Sequence, residues 1–579
     1  MSTNNRAPNL ALQPAECILP SMCCNRFPNC HCRTEASRDR ILRDLQSESE
    51  ADLSGSHRRF VPRGRLLRIL DRQRVADHLA TLLDDRKLLE KLSSYTSPEQ
   101  GETCHCQDSL CTGSRIILAS LLRIGREDLI ENLYNQSDRR VCDRSLPFSD
   151  GNPLPDSLDG LAEKEKELFK HTQGQLRSHY LKKVEPGNQT FEELDEAALP
   201  FLRVDEGENP IIGEFTIVRR IKIDPDHHNL GGNGDCFALK TFQKRLYRLG
   251  EDKFRDEFIA NQQTPWHNRI VPVLAAFKHR QEFHFIFPYA DDGNLEEFWK
   301  TYSSIEPTTW YSPQWLLGEC LGIAESLAAI HQPTVITEHG TQHIWVPRLH
   351  ADIKPRNILC FGTIKEGHRS FTLKLADFGV SREVNGNSTL EVGHVTHTRT
   401  YRPPEYDLEE IVNLNYDVWC LGCVYLEFLI WAVLGWSEVD NFGRTRMNET
   451  DDPHTSAVRG LDYEDTFFRK AAHAPRPYSV SGLKFRIERR TEITSKKSTT
   501  SQRLFRIGRG NTRISCEVKN SVKSHINTIR NHERCIPEFR KFLNFVETRM
   551  LVIDAGTRAS SNEVKIFIRD ITNTRLNEV

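Results

Sequence analysis

The stretch His350-Ala-Asp-Ile-Lys-Pro-Arg-Asn-Ile-Leu359 places three groups suited to phosphate chemistry within six residues. Asp352 offers a carboxylate that can accept a hydroxyl proton, and Lys354 can bring an ammonium group beside a phosphoryl group. Asn357 supplies a hard oxygen of the kind that Mg²⁺ prefers. Asp377, in Ala376-Asp-Phe-Gly379, supplies a second such oxygen. Transfer of a phosphoryl group from ATP needs few other parts.

Two further segments follow in the chain, Thr398-Arg-Thr-Tyr-Arg-Pro-Pro-Glu405 and Tyr416-Asp-Val-Trp419. With them, residues 205–579 resemble the eukaryotic protein kinase family. The resemblance implies that Asp352 and Lys354 are catalytic and that Asn357 and Asp377 bind metal. It also implies that Thr398 contacts Asp352 and Lys354, that Asp417 braces the catalytic loop, and that Arg558 pairs with Glu405. Lysine at position 354 is the form found in Ser/Thr kinases.

Upstream of these segments, the resemblance implies an ATP site on strands. Lys240, in Ala238-Leu-Lys240, resembles the strand lysine that holds the α- and β-phosphates, and its partner is Glu257, with Glu251 as the alternative. Phe287-Pro-Tyr-Ala290 resembles the segment that meets adenine, with Phe287 as gatekeeper. The residues implied to bind ATP are Gly213, Val218, Ala238, Lys240, Glu257, Pro288 and Ala290.

Two features depart from the family pattern. The glycine-rich loop is reduced to Ile211-Ile-Gly-Glu-Phe-Thr-Ile-Val218, although glycines normally let backbone N–H groups approach phosphates closely. Gly213 corresponds either to the second glycine, with Phe215 at the tip, or to the first after a two-residue deletion. Ala351 stands where many kinases carry an arginine that reads an activation-segment phosphate. We therefore expect activity without phosphorylation of that segment.

The composition is ordinary for a soluble globular protein, with 38% apolar and 27% charged residues and a net charge of -2. This balance predicts no specific nucleic-acid partner, so any charged partner must be recognised locally. The apolar stretch from Cys420 to Trp436 carries Glu427 at its centre, which predicts a buried helix and no membrane association. Glu427 is either a satisfied core carboxylate, which we favour, or a reader of basic substrate residues.

The N-terminal sequence MSTNNRAPNLALQPAE lacks the basic start and apolar run of a secretory signal. Sixteen cysteines in 579 residues fall short of a disulfide scaffold, so most are predicted to be reduced thiols. An intracellular, cytoplasmic location follows, with the nucleus as the alternative.

Cysteines cluster twice, as Cys17, Cys23, Cys24, Cys30 and Cys32, and as Cys104, Cys106 and Cys111 with His105. Structural zinc usually takes two pairs of ligands, each two to four residues apart. The Cys104-x-Cys106 spacing is tighter than that, and no clean second pair follows. Free thiols are therefore the favoured interpretation, with a zinc site as the alternative.

The fold class is predicted to be α+β, because strand-like segments come first and helical ones later. Residues 1–55 are predicted to be a disordered, Cys- and Pro-rich leader, 56–145 a helical domain, and 146–204 a linker containing a helix. A bilobal kinase-like domain follows at 205–579, with lobes at 205–290 and 291–579. A polar insertion at about 437–530 interrupts the second lobe.

From Lys484 to Arg530 that insertion is basic. A solvated disordered loop is the favoured interpretation, and docking of an acidic partner or a nuclear address is the alternative. The predicted function is transfer of the ATP γ-phosphate to Ser or Thr of protein substrates, with ATP and Mg²⁺ as cofactors. The alternative is an inactive kinase fold acting as a scaffold. The overall arrangement is similar to kinase-domain proteins of filamentous fungi.

Overall fold

The structure is a computed structural model. It describes residues 31–573 except 52–58, 100–101, 103, 109, 137–140, 150, 186–189, 195–196, 203–209, 214, 232–235, 243–246, 303–311, 333, 339–340, 366–367, 385–388, 393–397, 409–410, 450–464, 474–504 and 508–512. The chain divides into two compact units. The first is Met1–Lys183 with Glu193–Pro210 and Arg220–Phe237, and the second is Val184–Glu192 with Ile211–Arg219 and Ala238–Val579.

The first unit is mainly helical. Its helices are α1 (His31–Ser47), α2 (Arg63–Ile69), α3 (Arg72–Leu79), α4 (Arg86–Thr96), α5 (Arg115–Ile124), α6 (Ile130–Asn135) and α7 (Glu163–Leu176), and its short strands β1 (Glu50–Ala51) and β2 (Arg59–Phe60) pair with each other. The apolar periodicity of residues 64–92 and 114–134 forms one side of each helix, and these sides meet in a single core.

Three predicted boundaries are wrong. Residues 31–47 of the predicted disordered leader form α1, whose Ile41 and Leu45 are buried in the core. The predicted linker also joins this core, through Phe148, Leu158 and Phe169. Residues 220–237, predicted to belong to the kinase lobe, fall in the first unit, where His227 accepts the backbone N–H of Arg63 at 2.9 Å. Long-range packing of this kind leaves no local pattern in a sequence.

A curled sheet carries the predicted strands. It contains β3 (Glu192–Leu194), β4 (Phe201–Leu202), β5 (Ile211–Ile212), β6 (Thr216–Ile223), β7 (Cys236–Phe242), β8 (Ala275–His279) and β9 (Glu282–Pro288). The strand order is β3-β8-β9-β7-β6-β4, with β5 also on β6. In this sheet β8 and β9, β5 and β6, and β4 and β6 pair antiparallel. Helix α8 (Tyr247–Gln262) packs on it through Phe254 and Phe258, which contact Phe242, Phe283 and Phe285 in a small aromatic core. The predicted strands are confirmed.

The part of the second unit that follows β9 is largely helical, and the combination of sheet and helices confirms the α+β class. Its helices are α9 (Leu295–Thr301), α10 (Pro313–His331), α11 (Pro404–Leu408), α12 (Asn415–Leu434), α13 (Trp436–Asn448), α14 (Asn520–Asn531), α15 (Pro537–Phe545) and α16 (Ser561–Asn573), with a π-helical turn at Val546–Met550. They enclose the largest core of the described chain.

Short antiparallel pairs connect these helices. The strands are β10 (Thr334–Glu338), β11 (Thr341–Trp345), β12 (Arg348–Leu349), β13 (Ile358–Lys365), β14 (His368–Leu375), β15 (Arg382–Glu383), β16 (Thr389–Glu391), β17 (Ile411–Asn413), β18 (Phe468–His473), β19 (Phe505–Ile507) and β20 (Arg513–Val518). Their pairings are β10 with β11, β12 with β15, β13 with β14, β16 with β17, and β20 between β18 and β19.

Helix α12 is long and apolar enough to cross a membrane by length and composition. Its most apolar window is 94% buried inside the fold, as in the core helix of a soluble protein. The predicted buried helix is therefore confirmed.

The predicted insertion at 437–530 is partly ordered, which corrects the expectation of one solvated loop. Helices α13 and α14 lie at its two ends, and Val522, Ile526 and Ile529 of α14 are buried in the core. Residues 484–504 and 508–512 of its basic part lie outside the described residues.

Candidate active site

A lysine on β7 is held between two carboxylates. The Lys240 Nζ donates to both carboxylate oxygens of Glu257, each at 2.8 Å, and to Asp377 Oδ1 at 3.1 Å. Glu257 projects from α8 and is buried, whereas the alternative partner Glu251 pairs with Arg255 on the surface. The structure therefore brings together three residues far apart in the sequence, with Glu257 rather than Glu251 facing the lysine.

Burial and mutual charge interactions shift the pKa values of Lys240, Asp377 and Glu257. Burial lowers the pKa of Lys240, but Asp377 and Glu257 outweigh it, so the net pKa is raised. The nearby Lys240 ammonium lowers the pKa of Asp377 to about 2. Burial raises the pKa of Glu257 to about 7, against the opposing effect of Lys240. At neutral pH, Lys240 and Asp377 are ionised and Glu257 is the member of the group that titrates.

A second polar cluster forms around Asp352. Thr398 donates its hydroxyl to Asp352 Oδ1 at 2.6 Å, and Lys354 Nζ contacts Asp352 Oδ2 at 2.7 Å and Thr398 Oγ1 at 2.9 Å. The triangle of Asp352, Lys354 and Thr398 has the contacts that the sequence resemblance implied. It fixes the carboxylate of Asp352 and an ammonium group at one place, which is the requirement for orienting a hydroxyl beside a phosphoryl group.

Asn357 is oriented by the same loop. Its Nδ2 donates to the backbone carbonyl of Asp352 at 2.8 Å and to Asp352 Oδ2 at 2.9 Å. Since the amide nitrogen is committed to these contacts, the amide oxygen remains as the ligand atom. This oxygen and the carboxylate of Asp377 form the kind of hard-oxygen donor set that Mg²⁺ prefers. The residues therefore fit a magnesium ion.

The loop that carries Asp352 has a strained backbone, which the side chain of Asp417 stabilises. Ala351 has a φ of +69°, a conformation that costs an L-residue about 1–2 kcal/mol. The buried carboxylate of Asp417 accepts the backbone N–H of Ala351 at 2.9 Å and that of His350 at 2.7 Å. His331 Nε2 is bonded to the same carboxylate at 2.9 Å. Asp417 thus holds the turn that presents Asp352.

The reduced glycine loop is a tight hairpin. Strands β5 and β6 pair with Ile212 opposite Ile217, and the Gly213 N–H donates to the Thr216 carbonyl at 2.8 Å. These contacts close the hairpin between Gly213 and Thr216, which supports the alignment with Phe215 at the tip and Gly213 at the second glycine. Val218 lies on β6 opposite Ile211, and Ile211 and Ile212 are exposed.

The remaining predicted ATP residues lie on strands of the same sheet. Ala238 is two residues before Lys240 on β7, so both side chains are on one face, and both are half-buried. Pro288 ends β9 and has no N–H to donate. The Ala290 carbonyl accepts the N–H of Gly293 at 3.1 Å. The Ala290 N–H and the Pro288 carbonyl are the groups that the sequence resemblance implies for contact with adenine.

Two buried ion pairs support the lower part of the site. Arg558 donates to both oxygens of Glu405, at 2.7 and 2.9 Å, which confirms the predicted pair. Glu427 accepts from Tyr401 at 2.9 Å and from Arg446 at 3.0 Å. Burial raises the pKa of Glu427 to about 7. Because Arg446 and Tyr401 of this chain already bind it, Glu427 is a satisfied core carboxylate.

One contributor was missed by sequence reasoning. Arg348 on β12 pairs with Glu383 on β15 at 3.2 Å and also contacts Ser381 and Gln263. The arginine is buried, and it ties the segment after Asp377 to the start of the catalytic loop. The pair thus joins these two segments through an arginine and a carboxylate of this chain. The spacing of the two residues in the sequence carries no signal for this contact.

The sheet with its paired lysine, the braced loop and the metal-fitting oxygens have the arrangement that the sequence resemblance implied for a protein kinase domain. Residues 229–455 match the family described as "Protein kinase domain". This part of the chain is therefore a protein kinase domain. The match begins after the hairpin at residues 213–216, the part where the sequence departs most from the family.

Relatives among known proteins are Ser/Thr kinases. The chain is 28% identical to serine/threonine-protein kinase ICK of Rattus norvegicus over 214 residues, which is 36% of this chain and 29% of that protein. It is 26% identical to serine/threonine-protein kinase MAK of Homo sapiens over 211 residues (36% and 29%). It is 27% identical to serine/threonine-protein kinase nekl-2 of Caenorhabditis elegans over 205 residues (34% and 52%). The chain thus spans about a third to a half of the length of these relatives.

Proposed function

We propose that this chain transfers the γ-phosphoryl group of ATP to Ser or Thr hydroxyls of protein substrates. The observation that carries the proposal is the simultaneous placement of two groups, Lys240 with Glu257 and Asp377, and Asp352 with Lys354 and Thr398. An active kinase needs both the lysine–glutamate pair and the metal-binding aspartate in place. Both are in place here.

Each residue has a distinct role in the proposed reaction. Lys240 holds the phosphates, and Glu257 and Asp377 keep its ammonium charged and fixed. Asp352 accepts a hydrogen bond from the acceptor hydroxyl, and Lys354 neutralises charge at the transferred group. A magnesium ion held by Asn357 and Asp377 would neutralise the phosphate oxygens.

Specificity for Ser and Thr is supported by Lys354 and by the relatives named serine/threonine-protein kinases. Lys354 lies two residues after Asp352 and bridges it to a threonine hydroxyl at 2.9 Å.

The scaffold alternative rests on the hairpin at 213–216, which has one glycine where the family has three. Glycine loops hold phosphates with backbone N–H groups, so their loss weakens ATP binding without removing the chemical groups. We expect activity with a raised KM for ATP, since Asp352, Lys354, Lys240 and Asp377 remain.

The test is phosphotransfer from Mg-ATP to a Ser/Thr peptide library by the full chain and by Asp352→Asn. A positioned base is worth about 10²–10⁴-fold, so the variant should lose that factor in kcat. Asp440→Asn, an exposed aspartate paired with Arg444, is the matched control and should retain full activity. A wild type with neither turnover nor a nucleotide-induced shift in Tm would establish the scaffold instead.

We also propose an intracellular location. The eleven cysteines described in detail are all free thiols, as expected in a reducing compartment.

An acidic partner at the basic segment 484–530 remains a proposal from composition, and binding of a polyglutamate peptide to the full chain, compared with a deletion of residues 484–504, tests it.

A further inference from the structure

Four cysteine sulfurs of the first unit converge on one point. The Sγ atoms of Cys104, Cys106, Cys111 and Cys142 all lie within 4.8 Å of one another. Three of them come from the loop between α4 and α5, and the fourth comes from a segment 31 residues after Cys111. All four are free thiols. The cluster lies far from the catalytic groups in the chain and takes no part in the proposed phosphotransfer.

The fold brings the fourth cysteine to the loop through its neighbour. Asp143 caps α5, accepting the backbone N–H groups of Ile116 and Ile117 at 3.0 and 3.1 Å, and it also accepts the Thr112 hydroxyl. Its own N–H donates to the Gly113 carbonyl at 2.7 Å. Since Thr112 follows Cys111 and Asp143 follows Cys142, these bonds hold the two cysteines side by side.

Other contacts fix the rest of the loop. The buried guanidinium of Arg115 donates to the carbonyls of Leu70, Thr112 and Pro98, at 2.8, 2.7 and 3.2 Å. Arg144 Nε lies 3.0 Å from the Asp108 carboxylate, which joins the segment of Cys142 to the residues between Cys106 and Cys111. The cysteine cluster therefore rests on backbone that polar contacts have already arranged.

We propose that Cys104, Cys106, Cys111 and Cys142 bind one structural zinc ion. Four thiolates form the tetrahedral sulfur set typical of Zn²⁺. Sulfurs about 2.3 Å from a tetrahedral zinc lie about 3.8 Å apart, so the observed set needs to contract by no more than about 1 Å. Because the protein supplies all four ligands, no position remains for water or substrate, and the role is structural.

The physical consequence is a cross-link between two segments of the helical unit. The ion would join the loop after α4 to the segment that caps α5, where it adds to the Asp143 bonds. The spacing Cys104-x-Cys106 looked too tight for zinc when only neighbouring cysteines were considered. The distant Cys142 completes the ligand set, and only the folded chain shows this.

The test begins with the full chain purified without chelator under reducing conditions. Elemental analysis should find close to one zinc per chain, and a mercurial reagent should release it into a colorimetric zinc indicator. Cys142→Ser and Cys111→Ser should each lose at least tenfold in zinc affinity. Cobalt added to chelator-treated wild type should give the visible absorption of a tetrahedral thiolate site.

Two controls locate the ion. Cys23→Ser with Cys24→Ser changes the other cysteine cluster, and Cys236→Ser changes a half-buried cysteine outside the four. Both should retain the zinc and the cobalt spectrum. The proposal is overturned if Cys142→Ser retains the zinc or if the Cys23/Cys24 variant loses it. It is also overturned if the metal-free wild type, with its four thiols shown by alkylation to be free, takes up neither zinc nor cobalt. An iron–sulfur absorption spectrum in place of zinc would overturn the choice of metal.

Discussion

Asp417→Asn removes the charge that holds the catalytic loop in its strained turn. The carboxylate is fully buried and binds the backbone N–H groups of His350 and Ala351 and the ring of His331. An amide has one acceptor oxygen and one NH₂ group, so at least one of the two backbone N–H groups then faces a donor. Loss of a bond to a charged acceptor and an unpaired buried N–H together cost about 2–4 kcal/mol.

The free energy of unfolding is measured by urea titration, and kcat by phosphotransfer from Mg-ATP. We expect the stability loss together with at least a tenfold fall in kcat, because release of the Ala351 turn moves Asp352 away from the acceptor hydroxyl. The matched control is Asp440→Asn, whose exposed pair with Arg444 contributes at most about 0.5 kcal/mol. A loss below about 1 kcal/mol for Asp417→Asn, with kcat within twofold of wild type, would refute the role of Asp417 as a brace.

Two further predictions concern regulation of the site. Burial raises the pKa of Glu257 to about 7, so Glu257 takes up a proton as the pH falls from 8 to 6 and its ion pair with Lys240 weakens. Asp377, with a pKa of about 2, stays ionised over this range. We expect kcat/KM of the wild type to fall as the pH falls from 8 to 6. Glu257→Gln should be slower but should show no such fall. An unchanged fall in the variant would assign the pH dependence to another group. Because the Arg348–Glu383 pair already anchors the segment after Asp377, phosphomimetic changes at Ser388, Thr389, Thr396 and Thr400 should alter kcat less than about twofold. Arg348→Gln, which removes this pair, should lower kcat. A sharp rise in kcat for any phosphomimetic variant would contradict this prediction. Ser388 and Thr396 lie outside the described residues.

The catalytic cluster was predictable because its members are close in the chain. Asp352, Lys354 and Asn357 lie within six residues, so one turn of backbone sets most of their geometry. The strands were predictable for a similar reason, since alternation along β6, β7 and β9 is a local property. The choice of Glu257 over Glu251 needed the register of α8 against the sheet.

Other features depended on contacts between distant segments. The sequence predicted helix α1 as part of a disordered leader and residues 146–204 as a linker, whereas Ile41, Leu45 and Phe169 lie in one core. The role of Glu427 was open until Arg446 and Tyr401 were found against it. In each case the stabilising energy comes from burial against a surface that the neighbouring sequence does not contain.

The sequence by itself determined the groups of the candidate active site, their order, and the α+β class, because these depend on short spacings and local periodicity. Only the tertiary structure decided the brace geometry at Ala351, the Arg348–Glu383 anchor, the boundary of the helical unit and the meeting of Cys142 with the other three cysteines. The physical reason is that these features join residues tens of positions apart. Their pairing is selected by packing and by buried hydrogen bonds, which act on distances in space and not on spacing along the chain.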